Sequence, residues 1–215
     1  MILLVFFFLL RPGEYTGSPS NTSPFTLADV QLFAGRQRLP ISTCPEADFA
    51  LATLCTLTFT DQKNGVKGKV VGLGVSGDTF FCPVKSMTRR ILNLRPHGAI
   101  QSTILATYYV NGQSHPVTPS QITTTLRSGV HLFDPAELGF LPSDISARSL
   151  RAAGAMALLC AQVDTDIIRL IGRCRSDEMF RYLHVQAEPI MQHFAAKMIS
   201  LGDFALLPNI AVPMN

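Results

Sequence analysis

The sequence predicts an α+β protein, mainly helical with one small antiparallel sheet, in a single domain over residues 1–215. Two patterns predict this class. Alternation of apolar and polar residues is confined to the first third of the chain, whereas apolar residues at three-to-four spacing dominate the rest. Hydrophobic residues make up 47% of the chain, which is enough for a substantial core and excludes an intrinsically disordered protein.

The chain begins with a nearly continuous apolar segment over residues 1–10. Neither a basic segment before it nor a small-residue cleavage site after it is present, and ten residues are too few to span a bilayer. Arg11 and Glu14 follow directly, which favours the end of a buried helix. A secreted or membrane-tethered protein led by this segment is the alternative.

The first third of the chain predicts the sheet. We expect one strand over Leu27–Leu39 and a half-buried strand over Leu54–Thr60, because apolar and polar residues alternate there. Asn64-Gly65 has the composition of a tight turn, and Lys69–Leu73 is the predicted returning strand.

A literal GxGxxG occurs at Gly72–Gly77, directly after a predicted strand. A dinucleotide site also requires a helix that begins at those glycines and an acidic residue about twenty positions later. Pro83 delays the helix, and no Asp or Glu occurs from Thr79 to Phe133, so we interpret the segment as a loop.

Helices follow in the middle of the chain. Pro83–Leu94 begins with proline and keeps apolar residues at three-to-four spacing, which predicts an amphipathic helix. Thr118 is the predicted N-cap of the next helix, which begins at Pro119.

The last third predicts four more helices, each from a capping residue followed by apolar spacing. These are a helix capped by Asp144 or Ser146 that runs through Arg151 to about Ala161, a helix over Asp166–Ile171 capped by Asp164 or Thr165, a helix capped by Ser176 that contains Tyr182, and an amphipathic helix over Glu188–Leu201.

Charge and cysteine content bear on the binding partners, the cellular compartment and the metal content of the protein. The net charge is only +3, but the acid-free span from Thr79 to Phe133 carries five basic residues and could supply a positive face for nucleic acid or simply a solvated surface. The five cysteines are odd in number and contain no CxxC pair, which indicates reduced thiols in an intracellular protein and predicts no metal site.

Four short segments occur in a characteristic order: Leu9-Leu10-Arg11-Pro12-Gly13-Glu14-Tyr15, Ser149-Leu150-Arg151-Ala152-Ala153-Gly154, Ile171-Gly172-Arg173 and Arg181-Tyr182-Leu183-His184. This order resembles the active site of tyrosine recombinases, the integrase-like enzymes that cut and rejoin DNA, over nearly the whole chain. The sequence segments around Arg11 and Arg173 are similar to those of the Crypton-like branch, which is found in eukaryotic mobile elements. The resemblance implies the catalytic core fold of DNA breaking-rejoining enzymes.

The resemblance assigns roles to particular residues. Arg11 and Arg151 would clamp the scissile phosphate, which suits a guanidinium that binds two oxygens and stays charged. Tyr182 would be the nucleophile, and Lys63 in a hairpin would be the general acid, with Lys67 and Lys69 as rivals. A covalent tyrosine ester stores the bond energy, so the family needs no metal and no cofactor.

Two positions depart from the family pattern. Arg148 stands where the family has a histidine, and Arg173 stands where it has a histidine or tryptophan. A guanidinium still donates hydrogen bonds to phosphate but cannot accept a proton at working pH. Only ten residues precede Arg11, so we expect the family's separate amino-terminal DNA-clamping domain to be absent.

The resemblance therefore implies DNA strand cleavage and rejoining, in site-specific recombination or DNA integration, through a 3′-phosphotyrosine intermediate. The implied partners are double-stranded DNA and further copies of the chain, with residues 188–201 as a possible docking helix and no membrane. The implied location is intracellular, and nuclear if the host is a eukaryote. The alternative is a catalytically decayed DNA-binding remnant of a mobile-element recombinase, because Arg148 and Arg173 replace the usual residues.

Overall fold

A computed structural model describes residues 1–16, 23–60, 68–134 and 138–173. The α-helices bounded within these ranges are α1 (Ile2–Phe7), α2 (Pro12–Tyr15), α3 (Pro83–Leu94), α4 (Pro119–Val130), α5 (Ser149–Cys160) and α6 (Thr165–Gly172). Short 3-10 helices span Leu27–Asp29, Glu46–Leu51, Arg95–His97 and Pro142–Asp144.

A four-stranded antiparallel sheet has the strand order β2-β1-β3-β4. Its strands are β1 (Val30–Ala34), β2 (Gln37–Leu39), β3 (Leu54–Phe59) and β4 (Lys69–Gly74). A separate hairpin pairs β5 (Thr107–Val110) with β6 (Gln113–Pro116). The α+β class with a small antiparallel sheet is confirmed.

Helix α3 packs across the sheet and forms the centre of the core. Its four apolar side chains at three-to-four spacing are at most 1% exposed: Val84, Met87, Ile91 and Leu94. They lie in the same cluster as Leu57 and Phe59 of β3. Complete burial of a side chain of this size stabilises the fold by about 1.5–3 kcal/mol, so this contact is a main source of stability.

Helix α1 is the buried helix that the apolar segment 1–10 predicts. A six-residue helix is unstable alone in water, so packing must hold it in place. Its Leu4 and Val5, with Phe8 just beyond its end, are at most 1% exposed and belong to the main core. α1 packs against α3 on one side and α5 on the other.

One sequence prediction about the strands needs correction, and one hairpin was missed. The single strand over Leu27–Leu39 is wrong, because Leu27–Asp29 is a 3-10 turn and a hairpin follows it. Gly35, with φ of +57°, makes the reversal between β1 and β2. The β5–β6 hairpin was missed, although Asn111-Gly112 at its turn has the positive φ values of +50° and +78° that this dipeptide favours.

The helix caps are partly as predicted. Thr118 accepts a hydrogen bond from the backbone N–H of Gln121 at 3.3 Å, and Asp164 accepts one from Asp166 at 2.7 Å, so both predicted N-caps are confirmed. The predicted caps Asp144 and Ser146 are wrong for α5, whose N-cap is Arg148.

Several predictions fall outside the described residues. These are the Asn64-Gly65 turn, the helix containing Tyr182 and the helix over Glu188–Leu201. Within the described ranges, the GxGxxG segment leads from β4 into a loop, and α3 begins only at Pro83. No helix in these ranges has the length and apolar character needed to cross a membrane.

Gly154 sets the approach of α1 to α5, and its replacement tests that contact. A Cβ atom at residue 154 would overlap the carbonyl oxygen of Phe6 and would lie 2.5 Å from Cδ2 of Leu9. We expect Gly154→Ala to lower the free energy of unfolding by about 2 kcal/mol, because the clash outweighs the better helix propensity of alanine. Urea unfolding followed by circular dichroism measures this change.

Gly129 in α4 is the matched control, since nothing lies within 4 Å of its Cβ position. Gly129→Ala should raise the free energy of unfolding by about 0.5–1 kcal/mol through helix propensity alone. A similar rise in both variants would show that α1 does not approach α5 as described.

Candidate functional site

The candidate site lies where the carboxyl ends of α1 and α6 meet. Leu9, two residues past α1, has φ of +50°, and Arg173, the C-cap of α6, has φ of +57° and ψ of +37°. Both turns leave carbonyl oxygens without a helical partner. The last carbonyls of a helix carry partial negative charge, so this junction attracts cations.

Arg151 joins the two helix ends. It projects from α5 and is 5% exposed. Its guanidinium donates to the carbonyl oxygen of Leu9 at 2.5 Å and to that of Gly172 at 2.7 Å. One rigid, permanently charged group therefore fixes three helices relative to one another.

The Arg173 side chain is buried in the same place. It donates to the carbonyl oxygens of Phe8 and Leu9, both at 3.0 Å, and to that of Ile171 at 2.6 Å. Its guanidinium carbon lies 3.8 Å from the centre of the Phe59 ring, in cation–π contact. Arg173 thus connects the sheet, through Phe59, to the turn after α1, through Phe8 and Leu9.

Glu14 supplies the anion opposite Arg173. The Glu14 carboxylate and the Arg173 guanidinium are 2.9 Å apart, and their side chains are only 6% and 2% exposed. Burial lowers the pKa of Arg173 to about 10, with Arg151 and Arg11 adding repulsion, while the Glu14 carboxylate opposes the shift.

Arg11 is the part of the site that reaches solvent, with a side chain 27% exposed. Its backbone N–H donates to Glu14 Oε2 at 2.7 Å, and its guanidinium lies 3.3 Å from Glu14 Oε1. The same guanidinium donates to the carbonyl oxygen of Arg173 at 3.5 Å. Glu14 thereby holds both Arg11 and Arg173.

Lys69, at the start of β4, brings a fourth cation to the end of α6. Its Nζ donates to the carbonyl oxygen of Leu170 at 2.5 Å. Burial, together with the positive charge of Arg173, lowers the pKa of the Lys69 ammonium. We call Arg11, Lys69, Arg151 and Arg173 the cationic cluster.

The structure thus brings together three of the predicted site residues, Arg11, Arg151 and Arg173, and adds Lys69, which the sequence offered only as a rival to Lys63. Lys63, Lys67 and Tyr182 lie outside the described residues. Arg148 is exposed at the N-cap of α5, one turn before Arg151, and its guanidinium donates no hydrogen bond to a described residue.

Sequence reasoning missed the role of Glu14. The sequence patterns assign it no place in the site, although its position three residues after a helix N-cap is that of a capping-box glutamate. That spacing could have identified it as a partner of Arg11, but its pairing with Arg173 depends on a contact across 159 residues.

The chain matches no family model, no curated protein and no solved structure. In the described ranges, no three His, Cys, Asp or Glu side chains form a group able to hold a metal ion.

The cationic cluster has the chemistry of an anion site. Four cations converge, and Glu14 is the carboxylate paired with them among the described residues. Carbonyl oxygens accept hydrogen bonds from all four cations; Arg151 and Arg173 are buried, whereas Arg11 and Lys69 are partly exposed at the edge of the cluster. Guanidinium groups held in one orientation suit a phosphate, whose oxygens accept two parallel hydrogen bonds.

Because Glu14 and Arg173 are paired in a buried place, removal of the Glu14 charge should destabilise the fold strongly. We expect Glu14→Gln to lower the free energy of unfolding by about 3 kcal/mol, because the buried Arg173 charge loses its compensating anion. Urea unfolding at neutral pH measures the loss.

The exposed pair Arg169–Asp166, at 3.4 Å with Asp166 79% exposed, provides the control. Asp166→Asn should cost less than about 1 kcal/mol, because water screens this pair. Equal losses in the two variants would contradict the assignment of Glu14 as the central anion.

Proposed function

We propose that this chain is the catalytic core of a DNA breaking-rejoining enzyme. It would cleave and rejoin DNA strands through a 3′-phosphotyrosine intermediate, in site-specific recombination or DNA integration. The supporting observation is the convergence of Arg11, Lys69, Arg151 and Arg173, from four distant parts of the chain, at one helix junction. Arg11, Lys69 and Arg151 are the residue types, in the order, that tyrosine recombinases place around a scissile phosphate, whereas Arg173 stands where that family has a histidine or tryptophan.

The cluster supplies what phosphoryl transfer requires. Negative charge accumulates on the non-bridging phosphate oxygens in the transition state, and cations that are already oriented stabilise it without reorganising. Arg11 is exposed enough to meet a phosphate, and Arg151 and Arg173 add positive potential from beneath it. In this proposal Lys69 replaces Lys63 as the general acid, since its lowered pKa favours proton donation.

The proposed step transfers the scissile phosphate from the 5′ oxygen of DNA to Tyr182. The Tyr182 hydroxyl oxygen attacks phosphorus, the bond from phosphorus to the 5′ oxygen breaks, and Lys69 donates a proton to that oxygen. The phenolic proton leaves to solvent, because Arg148 stands at the family's histidine position and cannot accept it. Attack by a 5′ hydroxyl on the phosphotyrosine reverses the step and rejoins the strand.

The proposed partners are double-stranded DNA and further copies of the chain, with residues 188–201 docking on a neighbour. The proposed location is inside the cell, and in the nucleus if the host is a eukaryote.

A second candidate function is DNA binding without turnover. The observation that favours it is that Arg151 and Arg173 already donate to backbone carbonyls, so a phosphate would have to displace those bonds to reach them directly. In that case the exposed Arg11, Lys69 and Arg148 would hold DNA, and the buried pair would serve stability.

Covalent trapping tests the proposed function. The full chain meets a pool of nicked DNA duplexes that lose the short leaving strand after cleavage, which prevents rejoining. We expect a protein–DNA adduct that survives denaturation, because the phosphotyrosine ester is covalent. Gel electrophoresis under denaturing conditions measures the adduct.

Tyr182→Phe is the matched control, since it removes only the attacking oxygen, and it should abolish the adduct. DNA binding that weakens steeply with salt, with no adduct at any substrate, would instead support the second candidate. Binding that is insensitive to salt would contradict both candidates.

The choice of Lys69 as general acid predicts a pH dependence. Since the pKa of Lys69 is lowered, cleavage should fall as pH rises through that pKa and the ammonium loses its proton. Lys69→Gln should slow adduct formation by about 100-fold or more, and Lys63→Gln should have little effect. Single-turnover rates of adduct formation between pH 6 and pH 10 measure both effects.

A substrate with sulfur in place of the bridging 5′ oxygen separates this role from folding, because a thiolate leaves without protonation. That substrate should restore the rate of Lys69→Gln. If it does not, Lys69 is not the proton donor.

A further inference from the structure

Two adjoining cavities, of about 330 and 460 Å³, form a groove beside β2 that the cationic cluster does not use. Both are lined by Ile41, Ser42 and Gln101. The groove runs from Arg38 on β2 to the 3-10 turn at Arg95–His97. Volumes of this size hold small organic ligands.

The floor of the groove is aliphatic. Leu27 and Ile41 are 3% and 8% exposed and form its base, while Ile100 at the rim is 66% exposed. Because Leu27 and Ile41 leave little surface exposed, Ile100 supplies most of the apolar face that a ligand can cover, and an apolar face next to polar groups suits a planar ring better than a fully polar ligand.

The polar groups of the groove are few and specific. The Arg38 guanidinium is exposed, and no group in the described part of the chain bonds to it. Gln101 presents an exposed amide between the two cavities. Arg95 is already engaged, because it donates to the carbonyl oxygen of Cys44 at 2.8 Å and lies over the Phe49 ring at 5.5 Å. No carboxylate is among the lining residues described.

We infer that this groove binds a nucleoside phosphate, with the phosphate on Arg38, the base on the aliphatic floor and its polar edge on Gln101. A guanidinium grips phosphate oxygens in pairs, and a glutamine amide offers a donor and an acceptor side by side, which matches the edge of adenine. An acidic peptide would need several free cations, whereas the groove offers one.

The groove is separate from the cationic cluster, so the inference does not depend on DNA cleavage. Strands β2 and β4 are the two edges of the sheet, about 15 Å apart at the usual strand spacing. Across the sheet, Arg38 of β2 pairs with Phe33 of β1, which in turn pairs with Leu54 of β3. Leu54 is five residues along β3 from Phe59, and Phe59 pairs with Lys69 of β4. The two sites are therefore on the order of 20 Å apart.

Binding of adenosine 5′-monophosphate to the full chain, measured by isothermal titration calorimetry, tests the inference. Arg38→Gln should weaken binding about tenfold or more, because a charge-assisted contact is lost. Gln101→Ala should weaken binding of the nucleotide but not of ribose 5-phosphate, which lacks the base. Arg36→Gln is the matched control, since Arg36 is exposed in the same hairpin and does not line the groove.

A short oligodeoxyadenylate distinguishes the source of the ligand. Tighter binding than the mononucleotide, with the same dependence on Arg38, identifies a nucleotide within a strand, whereas equal affinity identifies a free nucleotide. Three results would overturn the inference: no nucleotide binding at millimolar concentration, equal losses for Arg36→Gln and Arg38→Gln, or Arg38-dependent binding of oligoglutamate in preference to the nucleotide.

Discussion

The junction between the carboxyl ends of α1 and α6 is the constraint on which the rest of the structure depends. Two sets of helix-end carbonyls would repel each other in a buried place if nothing neutralised them. Arg151 and Arg173 resolve this conflict, because each guanidinium donates to carbonyls from both helix ends. The hairpin edge at Lys69 and the Glu14 helix then attach to the same point.

The hydrogen bonds from these guanidinium groups to backbone carbonyls have two opposite effects on the binding of a phosphate. Donors that are fixed by carbonyls stay oriented, which lowers the reorganisation needed when charge develops on a bound phosphate. Those same donors are less available to the phosphate, because a hydrogen bond to a carbonyl must first be exchanged. The division between buried Arg151 and Arg173 and partly exposed Arg11 and Lys69 therefore separates a structural layer from a contacting layer.

Elements with local signals were predictable from sequence. The α3 stripe, the Thr118 and Asp164 caps and strand β3 follow from spacing within a few residues, and all were found. Local signals did not suffice everywhere. A single backbone angle decides the outcome at the Gly35 turn, Arg148 rather than Asp144 or Ser146 caps α5, and the Asn111-Gly112 hairpin was missed in spite of its local signal.

The convergence of Arg11, Arg151 and Arg173 was expected only through a resemblance, because no local pattern encodes contacts across more than a hundred residues. The contact of Lys69 with the end of α6 likewise depends on the position of β4 relative to α6, which the sequence does not encode locally. The Glu14–Arg173 pair had no signal in the sequence, because the capping-box spacing of Glu14 indicates only its contact with Arg11.

The contacts around Leu9 can form only after most of the chain has been synthesised. The carbonyl of Leu9 accepts a hydrogen bond from Arg151, which is synthesised 142 residues later, and that of Phe8 accepts one from Arg173, which is synthesised 165 residues later. At ribosomal rates of about 5–20 residues per second, the interval is roughly 10–30 s. During that time the most apolar segment of the chain has left the ribosome without the groups that complete its packing. Until Arg151 and Arg173 have emerged, these apolar side chains stay exposed, which makes the growing chain prone to aggregation.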